Sequence, residues 1–245
     1  MEPILSKQEI ADLLTAIRDG SISIDIEQEE SSRQFLDSTP VNLFQLARLT
    51  TDQGRFPNFD LILDAFSRNY SMTLTNLLQR NCTVSRTSLD IFHFQQYLNE
   101  KVKPAAIAIL NLTPLKYGAL MIFEPRLAFS LIEIMLGAAS DISPLKLSRE
   151  LTTIELNILK TAFASACSDI NKAFAPIQTL ESSLLKVESN ARLVSITEPG
   201  SEILVVTYNM KSGELTADFD LVLPISSLEP LKDPLKELVN VNANK

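Results

Sequence analysis

The chain has 245 residues, 45% of them apolar and 21% charged, enough for one large domain with a substantial core. Lys and Arg number 22 against 30 Asp and Glu, a net charge of −8, which argues against sequence-independent nucleic-acid binding and against a polybasic membrane anchor. No apolar run reaches the ~18 residues of a membrane span, the acidic N-terminus lacks the basic segment of a secretory signal, and Cys82 and Cys167 read as two free thiols in a reducing cytoplasm.

Residues 4–19 carry the signals of a short helix. Ser6 is placed as N-cap and Glu9 three residues later completes a capping box, while Leu5 and Ile10 form a hydrophobic staple. Ile10, Leu13, Leu14 and Ile17 then make one apolar stripe, and Gly20 is the stop. Between 21 and 55 the periodicity dissolves, and Asp25, Glu27, Glu29, Glu30 and Asp37 are opposed by Arg33 alone across the first part. That composition predicts a flexible acidic linker. The helix is therefore expected to be tethered to the core by disordered chain. A segment of this length is marginal alone in water, so its stripe requires a partner. The chain thus divides into an N-terminal module at 1–20, a linker at 21–55 and a folded domain at 56–240.

The domain opens with Phe59, Ile62, Leu63, Phe66, Tyr70, Leu74, Leu77 and Leu78, an amphipathic helix running to about Arg80. Residues 83–92, rich in Thr and Ser with loose alternation, predict a strand, followed by a short helix at 94–100. A buried strand at 105–112 and a partner at 119–124 form a hairpin, with Pro114 and Gly118 in its turn. Pro125 is suited to the first position of a nearly all-apolar helix through Leu136. After a loop at 137–150, Thr152 and Glu155 make a second capping box for a long helix that stops before Pro176. Strands are expected at 177–188, 203–210 and 215–223, the last two joined by a turn at 211–214 where Gly213 supplies a permissive backbone. Pro224 opens a final helix to about Val239. The order helix, strand, helix, strand, strand, helix occurs twice, over 58–137 and 152–239. This predicts a pseudo-twofold α/β (α+β) sandwich, with helices on a mostly antiparallel sheet.

Catalytic signals are absent from this pattern. His93 is the sole histidine and has no neighbouring ligand for a metal, so it reads as a polar residue at a strand end. Cys82 follows a helix C-terminus, where the dipole does not favour a thiolate, and Cys167 reads as a small packing residue. No phosphate-binding glycine loop or nucleophile elbow occurs. Glu27, Glu29 and Glu30 read as solvated linker. No enzyme, cofactor or metal is expected.

Ile4-Leu5-Ser6-Lys7-Gln8-Glu9-Ile10-Ala11-Asp12-Leu13-Leu14 resembles the N-terminal peptide of the bacterial flagellar motor switch protein FliM family, close to I-L-S-Q-x-E-I-D-A-L-L. Phe59 to Asn69 resembles the first helix of that family's middle domain, and Leu112-Thr113-Pro114-Leu115 with Gly118-Ala119-Leu120, Phe129 and Leu136-Gly137 resembles its central stretch. Arg149-Glu150-Leu151-Thr152-Thr153-Ile154-Glu155 matches the family's R-E-[FL]-T-x-[IT]-E, and Gly213-Glu214-Leu215 and Glu229-Pro230-Leu231 match its end. The resemblance implies a CheC-like middle domain in the cytoplasmic C-ring, at the inner-membrane face of the flagellar basal body. It implies that Leu5, Ser6, Glu9, Ile10, Leu13, Leu14 and Ile17 bind a phosphorylated CheY-type response regulator. It further implies contact with a FliG-type rotor protein above and with neighbouring copies at the sides. Where the family carries a G-G-x-G loop touching FliG, this chain has Gly137-Ala138-Ala139-Ser140 followed by Asp141, so only the first glycine is retained. The FliN-like domain that usually follows is expected to be missing from this chain, with a FliN-type protein engaged in trans.

Two other readings compete with this scaffold. A CheC-like phosphatase of a phosphorylated receiver needs an acid and an Asn three residues apart on one helix face. Here Glu155 is followed by Asn157 and Asp64 by Ser67. A helix turns ~100° per residue, so the Asn lies off the shared face. A C-ring-like component of a related secretion apparatus is the third reading.

Overall fold

The computed structural model describes residues 59–102, 104–138 and 149–235, all within one compact unit. The helix expected at 4–19 and the linker at 21–55 lie outside the described residues. Helix α1 spans Phe59–Leu78 and buries the predicted stripe from Phe59 to Leu78. It ends two residues short of Arg80 because Gln79 takes a positive φ of 52°. Strand β1 (Thr83–His93) follows, then α2 (Phe94–Glu100). The hairpin β2 (Ala106–Thr113) and β3 (Ala119–Phe123) leads into α3 (Pro125–Met135), with Pro125 at its start. The second half repeats the order: α4 (Thr153–Phe174), β4 (Glu181–Glu188), a short 3-10 turn at Ala191–Leu193, the hairpin β5 (Glu202–Ser212) and β6 (Leu215–Pro224), and α5 (Ile225–Leu228).

All six strands form one antiparallel sheet in the order β1-β5-β6-β3-β2-β4. Exchanging each strand of the first half with its counterpart in the second reverses that order and leaves it otherwise unchanged. The predicted pseudo-twofold is therefore a property of the sheet, with its axis between β3 and β6, where Phe123 faces Phe219. The first strand of each half leaves its own hairpin and pairs with the other half's.

Helices α1 and α4 run antiparallel over one face. The ring of Phe59 meets Phe174 at 5.9 Å, while one helix centre further on the Tyr70 hydroxyl donates to the Ala162 carbonyl at 3.3 Å. Ala162, Ala166 and Ala173 are fully or nearly fully buried, and such small side chains allow close helix approach. A second tyrosine crosses the halves in the other direction, the Tyr208 hydroxyl donating to the Leu63 carbonyl at 3.2 Å. Phe123 stacks on Phe163 at 4.2 Å and Tyr208 on Phe219 at 5.2 Å beneath these helices. On the other face α2 places Phe94, Tyr97 and Leu98 against Ile107, Leu120, Ile122, Val205 and Val222. Covering on both faces explains why β2 and β3 read as continuous apolar runs rather than alternating ones.

Some boundaries differ from those expected. β4 starts at Glu181, four residues later than expected, because the chain first wraps the end of α4, with Ile177 and Gln178 amides donating to the Phe174 carbonyl. The last helix is not continuous. Pro224 ends β6 and caps α5, and Pro230, lacking an N–H, sits in a 3-10 turn at Glu229–Leu231; its expected end near Val239 lies outside the described residues. The hairpin at 211–214 is tighter than expected, a two-residue loop in which Gly213 adopts φ +58°. The irregular exposure of β1 comes from a bulge between Arg86 and Ser88.

The two outermost strands are each fastened to a helix where they begin. The Val84 amide donates to the Ser71 hydroxyl at 2.8 Å, and the Ser182 amide donates to Asn171 Oδ1 at 2.9 Å. Gly118 fits for a different reason: a Cβ there would stand 2.3 Å from the Leu110 carbonyl oxygen. Gly118→Ala is expected to cost about 1–3 kcal/mol, the range for overpacking a filled site, read as a lowered urea midpoint with unchanged slope. An unchanged midpoint would mean that the β2–β3 turn is not packed in this way.

Candidate functional site

The described parts of the predicted site lie at one end of the helical layer. Because α1 and α4 are antiparallel, the C-terminus of α1 and the N-terminus of α4 share that end. The C-terminus of α3 joins them, since Arg80 Nη2 donates to the Ala138 carbonyl. α3 ends in a Schellman motif. The Gly137 amide bonds to the Ile134 carbonyl and the Ala138 amide to the Glu133 carbonyl, both at 2.9 Å, with Gly137 at φ +90°. The one glycine retained from the family loop is thus the one that the helix end requires. Leu136 and Ile154 are 71% and 74% exposed at this end. Gly137 and Ala138 are the described members of the predicted loop; Ala139, Ser140 and Asp141 lie outside the described residues, as do Leu5, Ser6, Glu9, Ile10, Leu13, Leu14 and Ile17.

The α4 N-terminus carries the predicted capping box. The Glu155 amide donates to Thr152 Oγ1, and the Thr152 amide donates to Glu155 Oε2 at 2.7 Å. Glu155 also takes a two-pronged contact from Arg149, at 2.5 and 2.8 Å. The Arg149 guanidinium in turn lies 4.9 Å from the centre of the Phe129 ring on α3. Hydrogen bonds from Arg149, then from Thr152, hold the Glu155 carboxyl down at about 2 against the opposing effect of burial. A carboxylate so engaged is a structural cap and not a proton donor. Asn157 is exposed. On the other long helix, Asp64 and Asp60 both pair with Arg86 of β1, at 3.3 and 2.5 Å.

The remaining singled-out residues are accounted for by packing. Cys82 and Cys167 are buried, and burial pushes both thiols up, Cys167 to about 11. His93 ends β1 as expected, with Nδ1 3.2 Å from the Gly200 carbonyl oxygen. Among the described residues no group of three or more His, Cys, Asp or Glu side chains is placed to hold a metal.

One polar arrangement went unread in the sequence. On the α2 face a cleft of about 430 Å³ holds Asp220, whose two oxygens accept from the hydroxyls of Tyr97 at 2.6 Å and Thr207 at 2.7 Å. Burial pushes the Asp220 carboxyl up, the two hydroxyls oppose this, and Asp218 and Asp90 add to it. The alternation of Asp218 and Asp220 along β6 was the available signal, but Tyr97 is 123 residues away.

A family model for the flagellar motor switch protein FliM matches residues 52–239. FliM of Pseudomonas aeruginosa is 24% identical over 235 residues, covering 96% of this chain and 70% of its own length. FliM of Escherichia coli is 26% identical, with 96% and 69% covered, and that of Treponema pallidum 25%, with 94% and 65% covered. The chain therefore spans about two thirds of the length of these relatives. The solved middle domain of Vibrio alginolyticus FliM is 28% identical at a TM-score of 0.63, covering 73% of this chain and 99% of that one. FliM in a FliG–FliM complex from H. pylori shares the fold at 21% identity and a TM-score of 0.68, covering 74% and 98%.

The Glu155 geometry has a pH signature. A carboxyl held below its ordinary value of 4.5 adds stability above that pH, and the contribution is lost as pH falls through about 2. Glu155→Gln is expected to lower the urea midpoint at pH 7 and to flatten the fall in stability between pH 4.5 and 2. An equally steep fall in the variant would mean that Glu155 is not the group responsible.

Proposed function

The chain belongs to the flagellar motor switch protein FliM family, and on that premise we propose that it is a non-enzymatic component of the motor's cytoplasmic C-ring, one that receives a response-regulator signal and helps to set the direction of flagellar rotation. The observation that carries this reading is a middle domain of the FliM fold, and its exposed turn at Leu136–Gly137 supports placing the proposed rotor-protein contact there. Among the described residues that end exposes two large apolar side chains, Leu136 and Ile154, as suits a docking surface. Its proposed partner is a FliG-type rotor protein, the kind of protein named in the H. pylori complex, with neighbouring copies at the sides and a FliN-type protein in trans. Among the described residues no helix is long and apolar enough to cross a membrane, which accords with attachment to the ring through protein contacts.

The use made of the carboxylates on the two long helices supports the non-enzymatic reading. A phosphatase of the related fold orients water with an unencumbered acid and an Asn on one face. Glu155 is committed to Arg149 and to its cap, and Asn157 is displaced by ~100° from the position required.

Two measurements test the reading. Ala138→Asp places a charge on the docking end and is expected to reduce co-purification with the FliG-type protein at least tenfold, while the melting temperature moves by less than about 4 °C. A collapse in stability would instead make this turn part of the core. A peptide of residues 1–19 is expected to bind a CheY-type receiver more tightly when the receiver carries a phosphoryl mimic, without shortening the receiver's phosphorylated lifetime. Leu13→Ala and Leu14→Ala should each cost more than ~1 kcal/mol as central anchors, and Ser6→Ala about 1 kcal/mol through the lost cap. Equal affinity for both receiver states would overturn the signal-receiving role.

A further inference from the structure

We infer that Arg80 and Arg149 are positioning residues for the partner-facing end of the domain, Arg80 holding the end of α3 and Arg149 the start of α4. The inference rests on the reading of that end as the rotor-protein contact and adds the residues that hold it in place. The end of α3 and the start of α4 are each tied into the helical layer by a guanidinium.

At Ala138 the tie comes from a different helix. The last turn of α3 contains no basic residue, although the partial negative charge of a helix C-terminus favours a cation there. Arg80 supplies it from 58 residues away, its Nη2 donating to the Ala138 carbonyl. That carbonyl lies past the Schellman motif, so no helical amide is available to it. The position of Arg80 follows from the left-handed residue before it, Gln79, which ends α1.

At Arg149 the anchor is threefold. The side chain grips both oxygens of Glu155, donates to the Glu150 carbonyl at 3.0 Å, and covers the Phe129 ring. It thereby connects the start of α4 to the flank of α3. Arg80 thus ties the α3 end that bears Leu136 to the end of α1, and Arg149 ties the α4 start that bears Ile154 to α3. Holding a binding surface in place before the partner arrives removes an ordering cost that would otherwise weaken association. The planar guanidinium suits this task. A lysine would offer a point charge on a flexible stem.

The test uses the full-length chain, a FliG-type rotor protein from the same organism, and hydrogen exchange at the Gly137 and Ala138 amides. Arg80→Ala is expected to bind about fivefold more weakly, the size of one lost preorganising contact, with faster exchange at those two amides and a melting temperature within about 4 °C of the parent. Arg80→Lys should fall between the two. If Arg80→Ala lowers stability beyond that, the comparison is made on Arg80→Lys, where weaker binding with faster Ala138 exchange supports the positioning role. Unchanged affinity for either Arg80 variant, with Ala138→Asp still abolishing binding, overturns this inference and leaves the docking end intact. Unchanged affinity for Ala138→Asp as well overturns both.

Discussion

The structure depends on an exchange. β1 belongs to the first half of the chain but completes the hairpin of the second, and β4 does the reverse. Each half keeps only its own hairpin, β2–β3 or β5–β6, and gives its first strand to the other half. The helices follow this arrangement: α1 is tied to one edge and α4 to the other, and both lie on the same face, so they meet over the middle of the sheet. There Tyr70 and Tyr208 each donate a buried hydroxyl to a carbonyl of the opposite half. Buried hydroxyls of this kind are costly unless bonded, so each half supplies a condition of the other's stability. The domain is expected to unfold as one unit, and its many sequence-distant pairings place it among slower-folding topologies.

The same arrangement sets up the exposed end. Antiparallel packing brings the end of α1 beside the start of α4, and α3 reaches them from the centre of the sheet. The polar groups there are consumed locally: the α4 cap by Glu155, Glu155 by Arg149, and the Ala138 carbonyl by Arg80. Among the described residues the large apolar side chains left exposed at this end are Leu136 and Ile154.

Local features of this fold were legible in the sequence because their causes are local. The Thr152–Glu155 box, Pro125 at the start of α3 and the stripe from Phe59 to Leu78 each follow from residues within a few turns of one another. The repeat was legible from element order. The exchange of outer strands was not, since nothing in 83–93 distinguishes pairing with 202–212 from pairing with its own hairpin. Gly118 was read as a turn residue, whereas its deeper reason is the Leu110 carbonyl beside it. At the end where α1, α3 and α4 meet, Gly137 was visible as a family remnant. Arg80 was not, because its partner lies 58 residues on. The Arg149–Glu155 motif was recognised as a pattern, but its contact with Phe129 needs α3 and α4 already in place.

The treatment of the sheet edges bears on life in a crowd. An unpaired strand edge is a template on which another chain's strand can add, most of all at high local concentration. Here the Ser71 hydroxyl and the Asn171 amide oxygen each occupy a strand amide at the point where an edge begins, and β1 is kinked by its bulge two residues further on. An incoming strand would therefore find an amide at the start of each edge already taken, which disfavours sheet extension and the fibres it leads to.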